Sequence, residues 1–428
     1  MLRSGFYAVC LMLVPIQLYA QGPLLWEVQQ DIDGGLDFTR AITFSGKSAV
    51  VVGNAGVPVE GSFESDFFIE ALSRTGAVRW SDQTFLSNCC VSPLFLTTKQ
   101  KRAYAVGSLS DGDPLGAFLV RAYDVPSGRL LWQNAWRGEQ GLVNWNPTGI
   151  AASPTHVVAI GYADNATRDG LAAVVRAFDS LTGAILWEDR VGATGVDIIP
   201  WAIAVNQNRV FVAGSSAAVG IGADRDLFVR AYDAVSGDVA WETGRQGVSV
   251  TTIRLDSGRL LIGGSAGSNT YLAAISTKNG AFFWQDATPM PGFVIDIAAN
   301  GPRIAAAIVG RESAVRVYDL TTGNVKWEDR PTIPPGFRES FLTVGLNQNA
   351  VYVAGSVGQD FGIGEFLVRA YDASTGLLLW DDRSHPSTAT TTAVDLAVNN
   401  NRLFVAGTTN SDLLIRAYDA RMDITATH

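Results

Sequence analysis

The chain has 428 residues, a net charge of −9, 47% hydrophobic and 17% charged residues, and 44 glycines. That balance excludes intrinsic disorder, which needs low hydrophobicity and high charge, and suits many short buried strands joined by tight turns. Only five of the 32 basic residues are lysines, and no basic run forms a stripe that could track phosphates, which argues against nucleic acid as a partner.

Residues 1–20 read as a secretory signal peptide. Arg3 supplies the positive start, Phe6 to Pro15 is an apolar run, and Leu18-Tyr19-Ala20 places a small residue before Gln21. The run is shorter than the roughly 20 residues that span a bilayer. Nothing later has the unbroken apolar length of a membrane helix. The expectation is an exported protein, periplasmic or extracellular, whose mature chain 21–428 has no transmembrane segment. Cys10 leaves with the signal, and the mature chain keeps the adjacent Cys89 and Cys90 in an oxidising compartment.

The mature chain then repeats. Ala122-Tyr123-Asp124 is followed by Gly128 and Trp132, and the same pattern returns at Ala177-Phe178-Asp179 with Gly183 and Trp187, at Ala231-Tyr232-Asp233 with Gly237 and Trp241, and at Ala370-Tyr371-Asp372 with Gly376 and Trp380. Val317-Tyr318-Asp319 with Gly323 and Trp327 is a close copy, and Gly76–Trp80 and Gly280–Trp284 are weaker ones. The seven tryptophans lie 43 to 55 residues apart, and each unit carries an earlier β-branched strand ending near a glycine. Eight such strands occur, so eight units of four short strands are expected, the size of a propeller blade. The eighth unit has Ala417-Tyr418-Asp419 but no tryptophan. Leu24-Leu25-Trp26-Glu27 mimics Leu378-Leu379-Trp380-Asp381, and the 48 residues after Trp380 with the six from Gln21 to Trp26 make one repeat. The expected fold is therefore all-β: an eight-bladed β-propeller of four-stranded antiparallel blades, a single domain over 21–428, with 21–30 completing the last blade and leaving no open edge. In each motif the aspartate and the Ser or Thr favour a tight turn, the glycine accepts a positive φ, and the tryptophan lands on the outer strand as a large buried anchor.

These residues resemble the tryptophan-docking motif of the quinoprotein (pyrroloquinoline-quinone repeat) propeller superfamily, over nearly all of the mature chain. The superfamily includes periplasmic quinoprotein alcohol dehydrogenases and a non-catalytic eight-bladed outer-membrane protein assembly lipoprotein. Both kinds share the repeat, so it does not choose between enzyme and scaffold. The chain resembles the assembly protein more: it is much shorter than the dehydrogenases, and their calcium-binding and catalytic acidic residues find no match in it. The resemblance implies an exported scaffold that presents its loop face to a protein, peptide or glycan, with no cofactor. The alternative it leaves open is an oxidoreductase binding pyrroloquinoline quinone with calcium, because the dehydrogenases carry an adjacent cysteine pair over the cofactor and Cys89-Cys90 precedes a plausible inner strand here. A purely structural disulfide, or two packed thiols, is the other reading of that pair.

Three further features depart from the repeat. Asp296 and Asp395 occupy equivalent places in the inner strands of the sixth and eighth blades, where the other blades hold Ala41, Phe95, Gly149, Ala202, Thr252 and Thr343. Two carboxylates near the central channel suit cation binding or acid–base work, or else accept backbone hydrogen bonds. The hairpins in the 43-residue repeats are short, which predicts a loop face that is low over blades five and six. Arginines at 121, 176, 230, 316, 369 and 416 recur before the motif, the mark of a structural ion pair. No metal site is expected: Asp111-Gly112-Asp113 lacks the rest of a calcium loop, and His156 and His385 have no ligand cluster at metal spacing.

Overall fold

The computed structural model describes residues 22–421 except 33, 60–61, 85–89, 111–115, 137–141, 166–168, 221–224, 287, 333–335, 360–363 and 385–389. The described residues form 32 strands in eight four-stranded antiparallel sheets. In chain order the blades span 38–84, 90–136, 142–191, 196–245, 248–285, 293–329, 337–383, and 391–419 joined by 24–30. Residues 1–20, expected from the sequence to be a signal peptide, lie outside the described part.

Burial follows from this stacking. The central strands of a blade are covered by a neighbouring blade on both faces, so Ala117–Asp124 is buried at seven consecutive residues and Arg209–Ala218 at six. Outer strands have one face in water and alternate, as Val78–Thr84 does. The core lies between blades: Val50, Val52 and Ile69 of the first pack against Ala103, Ala105 and Tyr123 of the second.

The N-terminal strand closes the ring. Leu24–Gln30 pairs antiparallel with Asp412–Asp419 and sets Trp26 opposite Ala417, the register in which Trp380 stands opposite Ala370. Gly22 also packs on Trp380, close enough that an added Cβ would come within 2.8 Å of the indole. The segment thus supplies both an outer strand and a docking glycine. Each motif glycine meets the tryptophan of the preceding blade, not its own: Gly128 lies on Trp80, Gly183 on Trp132 and Gly237 on Trp187. The indole N–H then reaches a carbonyl of the same turn, as Trp187 Nε1 does to Ala234 O at 3.0 Å. Trp132, Trp187 and Trp380 are buried, whereas Trp26, Trp80, Trp241, Trp284 and Trp327 are half-buried. The flat face of each of these rings is covered by its glycine, and the five half-buried residues keep some exposure.

The recurring arginines build the seams. Tyr123 donates to Asp82 of the preceding blade at 2.7 Å, and Arg121 points at the same carboxylate. Asp189 with Tyr232 and Arg230, Asp286 with Tyr318 and Arg316, and Asp382 with Tyr418 and Arg416 repeat the arrangement. Between the second and third blades Phe178 has no hydroxyl, and Arg176 instead lies 3.5 Å over the Trp136 ring while pairing with Glu188.

Every inner strand carries a β-bulge at one shared place, between Thr39 and Ala41 in the first blade and at the matching place in the other seven, and the third blade has a second irregularity between Val143 and Asn146. The bulge turns a carbonyl into the space of a facing Cβ, which explains the glycine within the second strands: a Cβ on Gly107, inside Arg102–Ser110, would fall 2.2 Å from Ser92 O. The sixth blade differs, with Ile308 opposite its bulge and Gly310 displaced into the hairpin.

Candidate central channel and loop-face groove

The residues that directly follow the eight bulges form one ring around the channel: Ala41, Phe95, Gly149, Ala202, Thr252, Asp296, Thr343 and Asp395. Register therefore sets Asp296 and Asp395 at one level, with Thr343 on the intervening blade. Two chambers meet at this level. One, of about 380 Å³, lies toward the tight-turn face and includes Arg254 and Phe44. The other, the upper chamber, of about 410 Å³, lies toward the loop face and includes Arg40, Phe95 and Trp201. Asp296, Thr343 and Asp395 line both.

The two carboxylates are committed to the neighbouring blade. Asp296 Oδ2 accepts Val344 N–H at 2.9 Å and the Thr343 hydroxyl at 3.0 Å, and its Oδ1 accepts Ile297 N–H at 2.8 Å. Asp395 Oδ2 accepts Ile42 N–H at 2.8 Å, and its Oδ1 accepts Leu396 N–H at 2.8 Å. They strap the sixth blade to the seventh and the eighth to the first. Burial raises the Asp296 carboxyl above the usual range against these hydrogen bonds. Burial also pushes Asp395 up to about 7, with the Asp296 charge adding to it.

The loop face is formed by the hairpins between second and third strands and by the links between blades. It is low over the fifth blade, whose strands end at Ala266 and resume at Asn269, and over the sixth, where Val309 and Ala314 bound the hairpin. The eighth blade is low as well, with only Asn410 and Ser411 between Thr409 and Asp412. Its shortness was readable from the distance between Gly407 and Ala417. Over it lies a groove of about 490 Å³ lined by Phe38, Thr39, Thr392 and Asn410 among others, and Arg40 and Val394 join it to the upper chamber. Phe38, Phe95 and Trp201 are exposed at this mouth.

The other sequence candidates fall elsewhere. Cys89 lies outside the described residues; Cys90 begins the inner strand Cys90–Lys99 opposite Ser110. His385 and Asp111-Gly112-Asp113 are also outside them. His156 is buried, with its Nδ1 2.8 Å from the Thr155 hydroxyl. Among the described residues no group of three or more His, Cys, Asp or Glu gathers to hold a metal ion. Each oxygen of Asp296 and Asp395 accepts a backbone N–H, so these carboxylates hold neighbouring blades together. No helix among the described residues is long and apolar enough to cross a membrane.

Residues 116–330, half of the chain, match the family described as outer membrane protein assembly factor BamB. The chain belongs to that family. No curated protein matches its sequence. Among solved structures it is similar to BamB from Moraxella catarrhalis, at 14% identity over 96% of this chain and 100% of that one, with a TM-score of 0.58. It is also similar to the quinohemoprotein alcohol dehydrogenase ADHIIG from Pseudomonas putida HK5, at 13% identity over 94% and 77%, with a TM-score of 0.56. A europium-containing methanol dehydrogenase gives 11%, 92%, 93% and 0.56. At such identities these likenesses show the fold alone. BamB family membership supports a non-catalytic scaffold in general.

Proposed function

We propose that this BamB-family chain is an exported, non-catalytic scaffold that holds a protein partner by an extended segment laid in the groove and upper chamber of the loop face. The observation that carries the reading is the continuity of those two cavities past exposed Phe38, Phe95 and Trp201. Concave, partly apolar surfaces with a few fixed polar groups are where segments dock, and loops held on a rigid frame carry such roles. The signal-like residues 1–20 and the family's name, an outer membrane protein assembly factor, support a periplasmic location at the outer membrane.

The test is a photo-crosslinking side chain placed at Phe38 or Trp201 and, as control, at Val235 on the tight-turn face. Capture of one protein from the first two positions and not from Val235 is expected. Capture only from Val235 overturns the reading. Saturable binding of an oligosaccharide lost in Trp201→Ala would move the partner class to glycans. Dye reduction with pyrroloquinoline quinone, calcium and an alcohol would restore the oxidoreductase alternative with its Cys89-Cys90 pair, and none is expected.

A further inference from the structure

Glu70 breaks the arginine pattern at the seam where the ring closes. Ala71 stands opposite Trp80 as Ala122 stands opposite Trp132, so Glu70 occupies the position of Arg121. Its side chain is only 1% exposed. Two residues after the tryptophan, where Asp82, Asp189, Asp286 and Asp382 stand at other seams, the closing strand Leu24–Gln30 has Val28, and it is Gln30, two residues further on, whose Nε2 donates to Glu70 Oε2 at 3.3 Å. The remaining oxygens, Glu70 Oε1 and Gln30 Oε1, are both buried, and neither has a hydrogen-bond partner among the described residues. Two acceptors left this way are costly. A single proton on Glu70 supplies the missing donor, because a carboxylic acid and a primary amide can each give and accept one hydrogen bond.

We propose that Glu70 is held as the neutral acid and forms a reciprocal acid–amide pair with Gln30, a proton-dependent latch on the strand that closes the ring. The proton comes from solvent and returns to it; no other group changes. Burial supports this by pushing the Glu70 carboxyl up to about 7, against the opposing Gln30 hydrogen bond. The charged groups on the packed elements have other partners. On the same strand Asp66 is held by Gln83, and on the outer strand of that blade Asp82 turns to Arg121 and Tyr123. On the closing strand Glu27 pairs with Arg416, which also reaches Asp382, and Asp412 takes Gln29. A carboxyl whose folded pKa exceeds its unfolded value contributes stability at acid pH that is lost as pH rises through the folded value. The latch therefore holds below neutrality and weakens above it.

Hydrogen exchange of the closing-strand amides, compared as protection factors near pH 6 and pH 8.5, tests the latch. Raising the pH lowers protection about tenfold more in the wild type than in Glu70→Gln, the difference expected of a carboxyl moved from 4.5 to about 7. Equal pH dependence in the two proteins overturns the proposal. Should Glu70→Gln fail to fold, Gln30→Met is read near pH 6. There the closing strand has lost protection if the pair exists, and unchanged protection overturns it.

Discussion

Trp187 of the third blade lies flat on Gly237 of the fourth, so close that a Cβ on Gly237 would sit 2.7 Å from the indole. The glycine also has φ +78°, where a side chain is strained. Gly237→Ala combines left-handed strain with overpacking, each costing about 1–3 kcal/mol. Chemical denaturation is expected to show a loss of about 2–4 kcal/mol. Gly247→Ala, also at positive φ but with open space around its Cβ, is expected to lose less.

The seams rank by burial. Arg316 and Asp286 are 4% and 2% exposed, and Tyr318 donates to the same carboxylate at 3.0 Å. Removing the guanidinium in Arg316→Ala leaves that charge buried without its cation, at a cost of about 3–5 kcal/mol. Arg209 pairs with Asp233 at 2.7 Å, but at 34% and 41% exposure the pair is screened, and Arg209→Ala is expected to cost less than about 1 kcal/mol. Equal losses in urea melts of the two variants would refute this ranking.

Trp26 joins the two chain ends. It stands opposite Ala417, packs on Gly76 of the first blade, and donates its N–H to Arg74 O at 2.8 Å. Trp26→Ala removes a half-buried indole, a change worth about 3 kcal/mol or more. Because it acts at the one seam without chain continuity through the blade, it is expected to raise exchange first at Asp412–Asp419, ahead of global unfolding. Uniform loosening of all eight blades would show that closure is not local.

The fold was legible because its instructions are local and repeated. Glycine, three residues and tryptophan recur with enough regularity to count blades, and even the closing strand announced itself through Trp26. The matching Gly22 went unread because a glycine four residues before Trp26 has no aspartate turn ahead of it in sequence; that turn comes from Asp419, at the other end of the chain. Asp296 and Asp395 stood out as departures from the repeat, but their partners Val344 and Ile42 are backbone groups of the next blade, and a sequence does not show which N–H a bulge sets free. The same holds for Glu70. Its place in the arginine column is visible only once strand register aligns Ala71 with Ala122. The groove over the eighth blade depends on a two-residue hairpin whose consequence is spatial, since it opens the rim beside Phe38 and Arg40.

Asp395 gives the channel its own pH dependence. Its carboxyl rises to about 7, first because it is buried and then because Asp296 is near, while Ile42 N–H and Leu396 N–H oppose the shift. The folded value lies above the unfolded one of 3.8, so the group favours folding most at acid pH, and that advantage fades as pH climbs through 7. Between about pH 5 and pH 8 the wild type should lose about 2 kcal/mol through this group. Asp395→Asn cannot ionise and should show a flatter profile in urea melts. At pH 5 it should be no more stable than the wild type, because its amide accepts through one oxygen where the carboxyl uses two. The gap should narrow or reverse by pH 8. Glu70 titrates at the same seam, so the Asp395→Asn/Glu70→Gln double variant should be flatter than either single one. A profile in Asp395→Asn as steep as the wild type's would assign the pH dependence elsewhere.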